Sequence, residues 1–180
     1  MKLWHVSEDA RIVRFEPRMP PSADAGISHP VVWAVDDTRL VNYLLPRDCP
    51  RVVVRCGPAT QSADAARYLG PDPADVAVFI ETPWLARSRN TTLWLYELPP
   101  ESFRRIDANA GYWVSARSVT PLSRQCVAAP LDELQRRGAE LRAVPQLRPL
   151  AEAVAASSLA FSIIRLRNAA PRAPIPPHTP

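Results

Sequence analysis

Twenty-one prolines against five glycines divide this chain of 180 residues into short segments. Each proline fixes its φ angle and lacks a backbone donor, so no long helix or central strand runs through a proline cluster. Pairs such as Pro20-Pro21, Pro99-Pro100 and Pro176-Pro177 therefore bound the elements. Between them 47% of residues are hydrophobic, enough to build a core. The length suits a single α+β domain over residues 1–169. The end, PRAPIPPHTP, reads with its neighbour as a Pro-rich disordered tail over 170–180.

The strongest strand signals are VVWAV (31–35), RVVVRC (51–56), DVAVFIET (75–82) and TTLWLYEL (91–98), rich in β-branched and aromatic residues. LWHVS (3–7) and YWVS (112–115) are shorter strands, and 119–127 and 140–144 are further candidates. The stretch 11–15 is a turn or short strand, and 19–26 a loop from its Pro, Ser, Asp and Gly content. Asp36 and Asp37 suit a helix start, because carboxylates cap free amides, and Pro46 closes that helix after Tyr43. Helices are also expected at 60–69, before Gly70, and at 131–137, after Pro130 and before Gly138. Apolar residues at 150, 154, 159, 163 and 166 predict a C-terminal helix over 150–167, which either packs on the sheet or forms a dimer seam. The polar stretch 99–111 reads as a loop. The fold class is α+β: a compact β-sheet core with short helices and a C-terminal helix.

A net charge of +4, spread along the chain and carried by arginine, describes a solvated surface more than a dedicated nucleic-acid binder. Nucleic acid is not excluded as a partner. Cys49, Cys56 and Cys126 form no CxxC, which argues against a disulfide framework or zinc knuckle. MKLWHVSED meets acids too soon for a secretory signal, and no apolar run reaches the roughly 20 residues of a membrane span. A soluble cytoplasmic protein with no membrane partner is the expectation, so Asn90-Thr91-Thr92 would not meet glycosylation machinery.

Phosphate-loop, dinucleotide-fingerprint, HExxH and GxSxG patterns are absent. The three histidines, His5, His29 and His178, are far apart in sequence, so no metal is expected. What remains is polar groups near strand ends. Alternation places His5 and Ser7 on one strand face, opposite Trp4 and Val6. His5 is then either a satisfied structural histidine or a ligand-facing one. A second group surrounds WAVDDTRLVNYLLPRDC, where Tyr43 either walls a cleft or packs in the core. A third runs from Tyr96 to Pro121 and holds Glu97, Glu101, Asp107, Tyr112, Trp113 and Ser115. A carboxylate there can steady developing positive charge or simply be solvated.

Together LWHVSE, VVWAVDDTRLVNY and GYWVSARSVTPL resemble the ADP-ribosyltransferase-like fold, the last of them its rifamycin-modifying branch. The resemblance implies a split β-sheet core and NAD as cofactor. It implies that His5 binds the nicotinamide-side ribose with Ser7 beside it. Trp33 or Tyr43 would stack on nicotinamide, Arg18 or Arg47 would meet the pyrophosphate, and Tyr112 and Ser115 lie on the third-motif strand. The catalytic set would be His5, Tyr43 and an acid, Asp107 before Glu97 or Glu101. Val6 and Ser7 stand where that fold has Gly and Thr. No E-x-E or Q-x-E occurs, which directs transfer to a small molecule or nucleic acid. Up to about Ala169, the runs HVSED, FEPR, NYLLPRDCPRV, AGYWVS and FSIIRLRNA also resemble an uncharacterised bacterial family.

Three functions are thus expected candidates. The first is an NAD-using ADP-ribosyl transferase. The second is a non-catalytic nucleotide- or anion-binding module that keeps the fold. The third is a His-dependent phosphodiester hydrolase.

Overall fold

A computed structural model describes residues 1–20 and 26–172. The strands and helices follow in chain order: β1 Leu3–Ser7, β2 Val32–Asp36, β3 Arg51–Arg55, α1 Ser62–Tyr68, β4 Val76–Glu81, α2 Leu85–Asn90, β5 Leu93–Leu98, β6 Arg104–Asp107, β7 Tyr112–Ser115, β8 Ser123–Val127, α3 Pro130–Arg136, β9 Ala139–Val144, α4 Arg148–Ala155 and β10 Ala160–Ile164. The chain is α+β. Residues 1–169, read as one domain, divide into two compact units. One comprises 1–47 and 86–139, the other 48–85 and 140–180.

The first unit holds a six-stranded sheet in the order β6-β7-β2-β1-β5-β8. Its β1 lies centrally because Leu3 and Trp4 are buried and both neighbours pair with it antiparallel. Five residue pairs join β1 to β5, with His5 opposite Tyr96. The β1–β2 ladder gives two, Leu3 with Asp36 and Trp4 with Val35. Residues paired across a sheet share a face. Leu3, Val32, Ala34, Tyr96 and Leu98 therefore pack together, with Phe15, Phe103 and Val119 beside them. Trp4, Val35, Leu93 and Leu95 pack on the opposite face with Leu40 and Leu44.

The second unit holds the order β10-β3-β4-β9. All of β3 is buried, and Val52 and Val54 meet Leu147, Ala151, Val154 and Leu159 in its core. Burying one such valine contributes roughly 1.5–3 kcal/mol relative to exposure.

Several expectations change. The helix predicted over 150–167 stops at Ala155, and the chain turns at Ser157-Ser158 into β10. Ser157 Oγ donates to the Val154 carbonyl at 2.7 Å, and Asp64 accepts from the Ser158 amide and hydroxyl at 2.7 and 2.6 Å. These side-chain bonds compete with helix continuation. Phe161 and Ile163 then follow strand alternation and pack on the core. The loop expected at 99–111 contains β6, an edge strand whose solvent-facing arginines hide the alternation. The helix expected from Asp36 is a 3-10 helix, Asp37–Tyr43, with the Asp36 carboxylate accepting from the Arg39 amide at 3.1 Å. The strand expected over 119–127 is confined to β8, and α2 was not foreseen.

The loop expected at 19–26 lies outside the described residues at 21–25, and the expected tail does so from 173 onward. Residues 170–172 are held: the Ala170 amide donates to Glu81 at 3.0 Å, and Arg172 meets Glu152 at 3.3 Å. Among the described residues no helix is long and apolar enough to cross a membrane.

Candidate functional site

The site begins where β1 and β2 diverge. Beyond Trp4 the imidazole of His5 approaches the main chain of β2, with Nδ1 2.9 Å from the Trp33 carbonyl oxygen. A carbonyl only accepts, so Nδ1 carries the hydrogen and donates it. In the neutral ring Nε2 then presents its lone pair. The ring lies against Phe15, with centroids 4.6 Å apart, and Phe15 meets Tyr96 edge-on at 5.4 Å. Phe15 reaches this position because its amide and carbonyl pair with Val119. The Tyr96 hydroxyl donates to the Asp9 carbonyl at 2.7 Å and accepts from the Ile12 amide at 3.2 Å. The segment after β1 is thereby folded back beside His5.

Two cations complete the surroundings. Arg47 and Arg18 are close enough for their charges to act on the imidazole. Arg18 is placed by a backbone bridge to Val31, just before β2. Arg47 is placed by its amide, which donates to Glu8 Oε1 at 2.8 Å. Burial and these charges hold His5 below its ordinary pKa, against the Trp33 carbonyl, which favours the charged form. The neutral form of His5 is thus favoured.

Some of the expected site residues lie elsewhere. Ser7 follows His5 on β1, and its Oγ accepts from the Asp9 amide at 3.0 Å, capping the turn. Trp33, Tyr43 and Tyr112 form a separate aromatic cluster. Tyr112 lies 5.2 Å from Trp33 and 5.6 Å from Tyr43 between ring centroids. Trp33 packs with Ile27, Val31 and Val114, and Tyr43 with the Trp4–Val35 side of the sheet, opposite the Leu3–Tyr96 side. The Tyr43 hydroxyl donates to the Ala110 carbonyl at 3.1 Å. Asp107 accepts from the Asn109 and Ala110 amides at 2.8 and 2.9 Å and so closes the β6–β7 turn. Glu97 accepts from Ser123 Oγ at 3.1 Å, and Glu101 is exposed in a 3-10 turn. Ser115 is buried, with its hydroxyl 2.9 Å from that of Ser102.

Of the expected ligand-binding residues, Arg18 and Arg47 act on His5 through their charges, the aromatics form their own group, and the acids serve turns and surfaces. Phe15 was missed, although its place in the short apolar run Ile12-Val13-Phe15 was the available signal. No group of three His, Cys, Asp or Glu side chains among the described residues is placed to hold a metal.

No curated protein and no solved structure matches the chain. The model of a family of unknown function, DUF6886, matches residues 4–169, a span that takes in both units and all three residues of the His5 cluster, and the chain belongs to that family.

Proposed function

We propose that this protein binds a phosphorylated, nucleotide-like ligand at His5, Arg18 and Arg47, as a binding module. The feature that carries this reading is a pair of arginines from separate segments, Arg18 bridged to Val31 and Arg47 bonded through its amide to Glu8, whose charges act on the His5 imidazole. Guanidinium groups bind phosphate oxygens through paired N–H donors. The aromatic cluster and Asp107 are engaged in packing and turn formation, so they add no catalytic set to this reading. The test is thermal unfolding of the full chain with NAD, AMP and inorganic phosphate. Phosphate-bearing ligands are expected to raise the midpoint in a concentration-dependent way. Arg18→Ala combined with Arg47→Ala is expected to abolish that rise. No rise with any of the three would overturn the reading.

A second reading, NAD-dependent ADP-ribosyl transfer, draws support from the early divergence of β1 and β2, which suits the split sheet implied by the resemblance. In it nicotinamide leaves and an acceptor attacks the anomeric carbon. Nicotinamide release from NAD by the pure protein, lost in His5→Ala, would promote it above the binding reading.

A further inference from the structure

We propose that the free edge of β9 is an interface between two copies of this chain, paired antiparallel strand to strand with Leu141 opposite Leu141 of the second copy. The inference is independent of the binding reading: Glu140–Val144 and His5 belong to different units.

In its sheet β9 pairs on one side only, with β4. Outside that ladder no backbone bond reaches Glu140–Ala143 among the described residues. Glu140 and Ala143 are exposed. An open row of N–H and C=O groups is a template for one more strand. Alternation puts Glu140 and Arg142 on one face of β9, and Leu141 and Ala143 on the other. The Arg142 guanidinium is held in place. It donates to the Tyr68 and Leu69 carbonyls at 2.6 and 2.8 Å and lies 5.6 Å from the centre of the Phe79 ring. Its Nε and Nη2 also donate to Glu140 Oε2 at 3.0 and 2.6 Å. The second carboxylate oxygen, Oε1, has no hydrogen bond among the described residues. Both charges are thus fixed on one face of an open edge, and one acceptor remains.

The order Glu140-Leu141-Arg142 is its own complement when turned about its centre. Two identical antiparallel edges related by a twofold axis place one residue opposite its own copy. Centred on Leu141, Glu140 of each copy faces Arg142 of the other, and Ala139 faces Ala143. Opposite charges facing each other across strands stabilise the pair, and like charges oppose it. Centred on Glu140 or on Arg142, the same edge sets like charges face to face, so charge selects the Leu141 register. The other edges lack this pattern. In β6 a bulge between Arg105 and Asp107 interrupts the edge. β10, with the sequence AFSII, holds no charge to set a register. In β8 the one charged residue, Arg124, has no acid in the strand to face. Pairing through β9 joins two four-stranded sheets into one.

Sedimentation velocity of the full chain over a concentration series tests this. The native chain is expected to pass from monomer to dimer as concentration rises. Glu140→Arg sets arginine against arginine across the twofold axis and should raise the dimer dissociation constant at least about tenfold. Glu140 is exposed, so this variant should melt close to the native chain. Mixing it with Arg142→Glu restores opposite charges at both facing positions and should give a mixed dimer. Arg142→Glu gives up the bonds to Tyr68 and Leu69, and Glu140→Arg alone decides the matter if that variant does not fold. A native chain that stays monomeric at every concentration overturns the inference. A dimer equally tight in Glu140→Arg lies on another surface and overturns it as well. Either result leaves the binding reading intact.

Discussion

His5 shows how one side chain ties a strand both to its neighbour and to a returning segment. Its Nδ1 bond replaces a ladder contact that the diverging β1 and β2 no longer make, and its ring packs on Phe15. The fold therefore favours the neutral ring, and the sign of the pH effect follows. Below the ordinary histidine pKa of about 6.5, the unfolded chain binds a proton that the folded chain resists. Stability without ligand should fall as pH drops from there toward the lowered folded value. A series of thermal melts across that window checks this, and His5→Asn should flatten the His5 contribution. An unchanged pH profile in the variant would refute it. The pairing of His5 with Ser7 on one side of β1 was legible from alternation. The Phe15 stack was not, because it depends on a chain return that local sequence does not encode.

Among elements, the β6–β7 hairpin and the start of α4 carry the clearest costs. Gly111 has φ +71°, and a Cβ there would clash with the Cβ of Arg39. Gly111→Ala should destabilise by on the order of 1–3 kcal/mol, read from denaturant midpoints. Glu81, buried at the end of β4, accepts from the Leu147 amide at 3.1 Å and the Ala170 amide at 3.0 Å. Glu81→Ala should cost about 1–3 kcal/mol for each amide left unpaired, whereas Glu81→Gln, which keeps one acceptor, should cost less. Equal costs for the two variants would contradict this account. Buried strands such as Val76–Glu81 were readable from β-branched runs, and the Pro130 helix from its proline and Gly138. The span 150–167 misled because its apolar spacing fits a helix locally. Bonds from Ser157, Ser158 and Asp64, the last distant in sequence, end that helix and free Phe161–Ile164 to pair with β3. β6 was hidden for the opposite reason: an edge strand exposed to water needs no apolar face.

At the scale of the whole molecule, the two units each close a core around a separate sheet, with the chain contributing two stretches to each. Hydrogen exchange should therefore be slowest in the inner strands, β3 and β4 in one unit and β1 and β5 in the other, and fastest at the exposed edges β6 and β8. Uniform protection across a sheet would contradict the assignment of its edges. The α+β class was legible from the mixture of strand runs and short helices. The division into two units was not, since it depends on which distant strands pair. The family match reaches across both units and carries no activity, so the proposed function is tested at His5. The most direct measurement is a nitrogen-15 NMR titration of the His5 imidazole, with and without saturating inorganic phosphate. The account predicts a free-protein midpoint below the ordinary histidine value, Nδ1 remaining the protonated nitrogen of the neutral ring, and a clear upward shift of the midpoint with phosphate. The same midpoint in both samples would contradict it.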